Sequence, residues 1–298
     1  MRCFLSMLLF FFVLILAAGE KILVWQATSP NLPGKLYLAG SVHIGKKSWY
    51  PLDSAYDKLV NESSAIYYEI HKVDKMEAAQ ISMQHGFFPG NENLSHIANM
   101  SELVTIKNFM SQYSKSVPVY LVERFRPWLL NLEVAGAYLQ TRKDLSRECG
   151  LESVFTKTFS DKPSFSLETI QLQVQSMSKV QDSIVLRMLL DSIRDFKNAG
   201  RDLERIFQAF ETGDPAHLVP ITTTMAFRYP AFYQSLIADR NQLMGQKIYR
   251  LMKKKQTVFI LVGAAHLTGK DSLLDYLRER DCLIEQVNRS GVKGKIQP

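Results

Sequence analysis

Cysteine is scarce in this chain of 298 residues: there are three, and Cys3 lies inside an apolar leader, leaving Cys149 and Cys282. At most one intrachain disulfide is then available, which excludes a small scaffold stapled by several bridges. Spacing does not decide whether the two pair, because pairing needs their Cα atoms within about 7 Å. Long apolar runs are equally scarce: beyond the leader no stretch suits a membrane span. Short-period repeats and low-complexity tracts are absent, which excludes a solenoid and a largely disordered chain. Although the net charge is +7, the positive residues are scattered, and the densest group is Lys253, Lys254 and Lys255. These lie near an expected helix end, where they complement the helix dipole and are solvated. With no nucleic-acid motif beside them, no nucleic-acid partner is expected.

What is present begins at the N-terminus. Arg2 precedes the apolar run "CFLSMLLFFFVLILAA", and Ala17, Ala18 and Gly19 suit a signal-peptidase site. The expectation is a signal peptide over residues 1–19, with the remainder secreted or periplasmic. The alternative is an uncleaved signal anchor that tethers the protein to a membrane. A lipoprotein anchor is not expected, since no cysteine follows the small residues. Asn61, Asn93, Asn99 and Asn288 stand in Asn-x-Ser sequons, which chance also produces.

The body, with 46% hydrophobic and 22% charged residues, has the composition of a globular α/β protein. Residues 22–27 and 35–43 read as strands joined by a loop over "SPNLPGK". Pro51 and Asp53 then open a helix with Ala55, Leu59 and Val60 on one side, and "SAIYYEI" at 64–70 reads as a strand. A strand–helix–strand unit favours parallel pairing. From about 74 to 255 the pattern is mostly helical, interrupted by a short strand within 162–169. A strand at 257–263, a loop, a helix at 271–280 and a strand at 283–288 follow. The expected fold is α/β: one mixed sheet from N- and C-terminal strand–helix–strand pieces, with a helical insertion between them, in a single domain over 20–298.

His43 in "KLYLAGSVHIG" and His266 in "TVFILVGAAHLTG" each end a strand-like run, with Gly40 and Gly263 three residues earlier. Strand ends in open α/β sheets are where ligands commonly bind. One Gly-x-x-His is weak; two in matching contexts carry more weight. Glu69 in "YYEI" ends a third apolar strand, where it either emerges into solvent or meets a cation that offsets its burial. Two imidazoles and a carboxylate suit a divalent metal with open positions. His71 follows two residues after Glu69, on the same face of an extended strand, as a possible further ligand.

Together these segments resemble the TraB/GumN family, which includes the Tiki metalloproteases. "YLAGSVHIGKKSWYPLDSAYDKL" is similar to the family's opening strand, Gly-x-x-His and helix entry; "AIYYEI" is similar to its glutamate strand. "PSFSLETIQLQVQSM", "ADRNQLMGQKI" and "FILVGAAHLTG" are similar to its Leu-Glu-Thr segment, Arg-Asn helix and second Gly-x-x-His, in the family's order from about 22 to 288. The resemblance implies a metal-dependent hydrolase, a peptidase in the Tiki branch, using manganese or cobalt, or zinc, on a peptide or protein substrate. It implies metal ligation by His43, Glu69 and His266, and an essential polar role for Arg240, with Asn241 beside it. Two departures are that His71 stands where an acidic residue is common, and that the C-terminal anchor of animal Tiki proteins is missing. The second makes the bacterial, secreted GumN-like branch the nearer resemblance.

A metal held this way acidifies a bound water and polarises a carbonyl. Arg240 either steadies an oxyanion or substrate carboxylate, or forms a salt bridge with Asp239 or Glu69. Glu168 is a candidate general base or a partner that orients a ligating imidazole, with Gln171 and Gln175 near its helix face. Trp49, Tyr50, Trp128, Phe227, Tyr229, Phe232 and Tyr233 either line a cleft or pack in the core. Other classes remain open: a metal- or haem-binding protein without turnover, and a regulator that sequesters a signalling peptide.

Overall fold

The computed structural model describes residues 21–298; the expected signal peptide lies outside them. Strands β1 (Lys21–Ser29) and β2 (Leu32–Ser41) form an antiparallel hairpin. The turn is shorter than "SPNLPGK" suggests, because Pro33 and Gly34 belong to β2. Gly34 is needed there: a Cβ would lie 2.7 Å from the Met252 backbone. The two-residue β3 (Gly45–Lys46) follows, then helix α1 (Ser54–Glu62) and β4 (Ala65–Tyr68). Asp53 caps α1 by accepting from the Ala55 N–H.

The helical stretch contains α2 (Lys75–Gly86), α3 (Met100–Tyr113), α4 (Pro127–Thr141), the two-residue β5 (Leu145–Ser146), α5 (Leu151–Thr158) and the short β6 (Ser164–Ser166). It continues through α6 (Ile170–Ser178), α7 (Asp182–Arg194), α8 (Gly200–Thr212), α9 (Val219–Arg228) and α10 (Pro230–Tyr233). A π-helical turn over Gln234–Ala238 leads into α11 (Asp239–Met252), whose second residue is Arg240. Strand β7 (Thr257–Gly263), helix α12 (Leu273–Arg278) and β8 (Leu283–Asn288) complete the chain.

The main sheet runs β6-β4-β7-β2-β1-β8; β6, β4, β7 and β2 are parallel, while β1 and β8 join antiparallel. The sequence reading correctly gives a mixed sheet, but the direct pairing expected of β2 with β4 is not made. The C-terminal β7 runs between them, pairing Ser41 with Gly263 on one side and Tyr68 with Leu261 on the other. Strand alternation explains the layers. Leu36, Leu38, Val258, Ile260 and Val262 pack against Met244 and Ile248 of α11. Tyr37, Ala39, Ile66, Phe259 and Leu261 face the opposite layer, with Leu59 of α1 and Phe155 of α5. Helices α3, α4 and α7 bury a core of their own around Ile106, Leu130 and Leu189, and α2, α6 and α10 add to another around Trp128 and Val185. Three adjacent parallel strands, β4, β7 and β2, therefore end along one edge, and each predicted metal residue follows one of them.

Candidate functional site

Glu69 lies just past β4 and is 5% exposed. Its N–H still donates to Leu261 O at 2.9 Å, so the sheet fixes its backbone. Oε2 accepts from the Gly263 N–H at 2.9 Å, while Oε1 accepts from Arg240 Nη2 at 2.5 Å and Gln173 Nε2 at 3.0 Å. Burial opposes the charge of Glu69, but His266, Arg240 and the Gly263 N–H hold it far down, at about 2. His266 is itself pushed down to about 4 by burial and is neutral at neutral pH. Arg240 therefore supplies the compensating charge for Glu69 there, and His266 does not.

Arg240, 4% exposed, also grips Glu168: Nε donates to Oε2 at 3.1 Å and Nη2 to Oε1 at 2.5 Å. Nη1 donates to Leu236 O at 3.0 Å, within the π-helical turn. Both oxygens of Glu168 accept from Arg240, and neither is hydrogen-bonded to an imidazole. Of the two expectations for Arg240, the salt bridge to Glu69 is made, while Asp239 pairs with Lys179. Burial pushes the Glu168 carboxyl up from its ordinary range, against the pull of Arg240 and Lys247.

The imidazole of His266 is oriented by Asn241. Asn241 Nδ2 donates to Asp271 O at 2.8 Å, which leaves Oδ1 facing His266 Nδ1 at 2.6 Å. Nδ1 must carry the proton, and Nε2 keeps its lone pair 3.8 Å from Glu69 Oε2. Gly263 keeps the space beside them open, since a Cβ there would lie 3.2 Å from Glu69 Oε2 and 3.5 Å from His266 Cδ2. Metal bonds of about 2.0–2.2 Å can bridge two such donors, so the pair fits a divalent ion.

His43 stands apart from that pair. Its side chain is 73% exposed and its Nδ1 lies 3.0 Å from Glu152 Oε1. Glu152 raises it well above the ordinary imidazole range, to about 9, although solvent screens part of that pull. Glu69 and His266 both feel its charge. Among the described residues no group of three His, Cys, Asp or Glu stands ready to hold an ion. The structure thus brings two of the three expected ligands together and leaves His43 with Glu152.

His71 does not join them. Strand β4 ends at Tyr68 and the chain bends, with Lys72 at φ 52°, so the expected shared face with Glu69 is lost. The His71 ring stacks on Tyr68 at 4.8 Å. Gln171 reaches His85 and Gln175 is exposed, whereas Gln173 is the glutamine that reaches Glu69. The aromatics do not gather in one cleft: Trp49 lines one surface cavity and Tyr229 and Phe232 another, Trp128 and Tyr233 are buried, Tyr50 bonds Cys149 O, and Phe227 alone of the seven is strongly exposed. Cys149 and Cys282 are free. Glu152 and Gln173 escaped the sequence reading; a helix-initial acidic residue after "CG" was the one signal for Glu152.

The model of the TraB/PrgY/gumN family matches residues 23–286, which spans all three strand ends and Arg240. The chain belongs to the TraB/PrgY/gumN family. No curated protein and no solved structure matches it. Within the TraB/PrgY/gumN chain the matched segment runs from β1 into β8, so all of the sheet but the first two residues of β1 and the last two of β8 lies inside the family region. No helix among the described residues is long and apolar enough to cross a membrane.

Proposed function

We propose that this chain is an exported, metal-dependent hydrolase of Tiki and GumN type that cleaves peptide bonds, with manganese or cobalt preferred to zinc. The observation that carries this reading is the buried pair of Glu69 Oε2 and an unprotonated His266 Nε2, 3.8 Å apart. Glu69 and His266 would hold the ion from inside, and His43 would close the set from the open side by turning Nε2 inward and giving up that nitrogen's proton to solvent as the ion binds. A divalent ion supplies Lewis acidity there, polarising a carbonyl and acidifying a water. Asn241 keeps His266 in the ligating tautomer, and Arg240 holds the Glu69 carboxylate in place while Glu168 anchors Arg240. Export rests on the apolar leader and its small-residue site.

A metal-binding protein without turnover is the second reading, favoured by the engagement of both Glu168 oxygens. Metal analysis of the purified chain beside His43→Ala and His266→Ala, followed by a peptide library with manganese, cobalt or zinc, separates the readings. Bound metal in the wild type, its loss in both variants and cleavage of library peptides are expected. Unchanged metal content in both variants would defeat the ligand assignment; metal binding without cleavage under any ion moves the second reading ahead.

A further inference from the structure

We propose that Glu152 is a positioning residue of this metal site: its Oε1 faces Nδ1 of His43, which keeps the proton on that nitrogen and leaves Nε2 as the one offered to a divalent cation. The inference rests on the metal-binding reading above. A lone pair on Nδ1 would repel a carboxylate oxygen 3.0 Å away, so the proton belongs on Nδ1. Ser41, itself 3% exposed, donates its hydroxyl to the same Oε1 and fixes the carboxylate from the other side. A carboxylate oxygen thus stands at His43 Nδ1 where the Asn241 oxygen stands at His266 Nδ1, and in each ring Nε2 is the nitrogen left for an ion.

The two partners meet because their backbones are locked. Leu151 N–H donates to Val42 O at 3.0 Å, and Gly45–Lys46 pairs with Leu145–Ser146. Glycine is required on both sides of the junction: a Cβ on Gly150 would lie 2.3 Å from His43 O, and one on Gly45 would lie 2.1 Å from Cys149 O. Glu152 is also a poor choice for stability alone. Its Oε2 is buried and has no hydrogen-bond partner, a cost that an apolar residue would not carry. A carboxylate kept despite that cost fits a role toward His43.

The test uses the full chain labelled with ¹⁵N, beside Glu152→Gln and Glu152→Leu. Two-bond ¹⁵N–¹H correlation spectra of neutral His43 should show Nδ1–H in the wild type. Glu152→Gln, which keeps an acceptor oxygen, should retain that form, whereas Glu152→Leu should shift His43 to Nε2–H. Manganese affinity, read by titration calorimetry, should fall about 10–100-fold in Glu152→Leu and stay near wild type in Glu152→Gln. A chain that takes up no manganese overturns the metal reading and this inference with it. Uptake with an Nε2–H His43, or undiminished uptake by Glu152→Leu, overturns this inference alone.

Discussion

The inner and outer halves of the site are built on different terms. In the inner half, Glu69, His266, Arg240, Glu168 and Asn241 are each at most 5% exposed, and both oxygens of each carboxylate have partners. In the outer half, the His43 side chain is 73% exposed and Glu152 has an oxygen with none. Buried charges persist only where partners satisfy them, so the inner half is part of the folding core. The outer half owes its place to backbone contacts at Gly45 and Gly150, and its side chains contribute little to stability.

That contrast is open to attack, most forcefully at Arg240. Arg240→Met leaves Glu69 and Glu168 buried beside each other without a cation and should destabilise the fold by about 3–5 kcal/mol, read as a lower urea midpoint. Next comes Asn241→Ala, which strips His266 Nδ1–H of its acceptor and Asp271 O of its donor. A loss of about 1–3 kcal/mol is expected by the same measurement. His43→Ala should change stability by no more than about 0.5 kcal/mol, because the side chain it removes is mostly solvated. If His43→Ala destabilised the chain as much as Asn241→Ala, the division into a structural and a ligand-facing half would collapse.

Much of the fold was legible beforehand. The apolar alternation of "KLYLAGS" and "TVFILVG" marks β2 and β7, and the glycines near their ends mark where the chain leaves the sheet. The family segments located His43, Glu69, His266, Arg240 and Asn241. The face of His71 was misread because strand periodicity was carried past Tyr68, where the strand stops. Gln173, and not Gln171 or Gln175, reaches Glu69, and a helix pattern alone does not say which of the three does so.

The sequence by itself determined the elements, their order and the residue types at three strand ends, since these follow from local periodicity and turn chemistry. Only the tertiary structure decided that β7 separates β2 from β4, bringing His266 beside Glu69 from 197 residues away in numbering. It also decided that Arg240 joins two carboxylates, that Asn241 fixes one imidazole and that Glu152 faces the other. Such pairings depend on where distant segments close in space, and no local repeat encodes that. The same glutamate is a surface charge or a buried ligand according to what the rest of the chain packs against it.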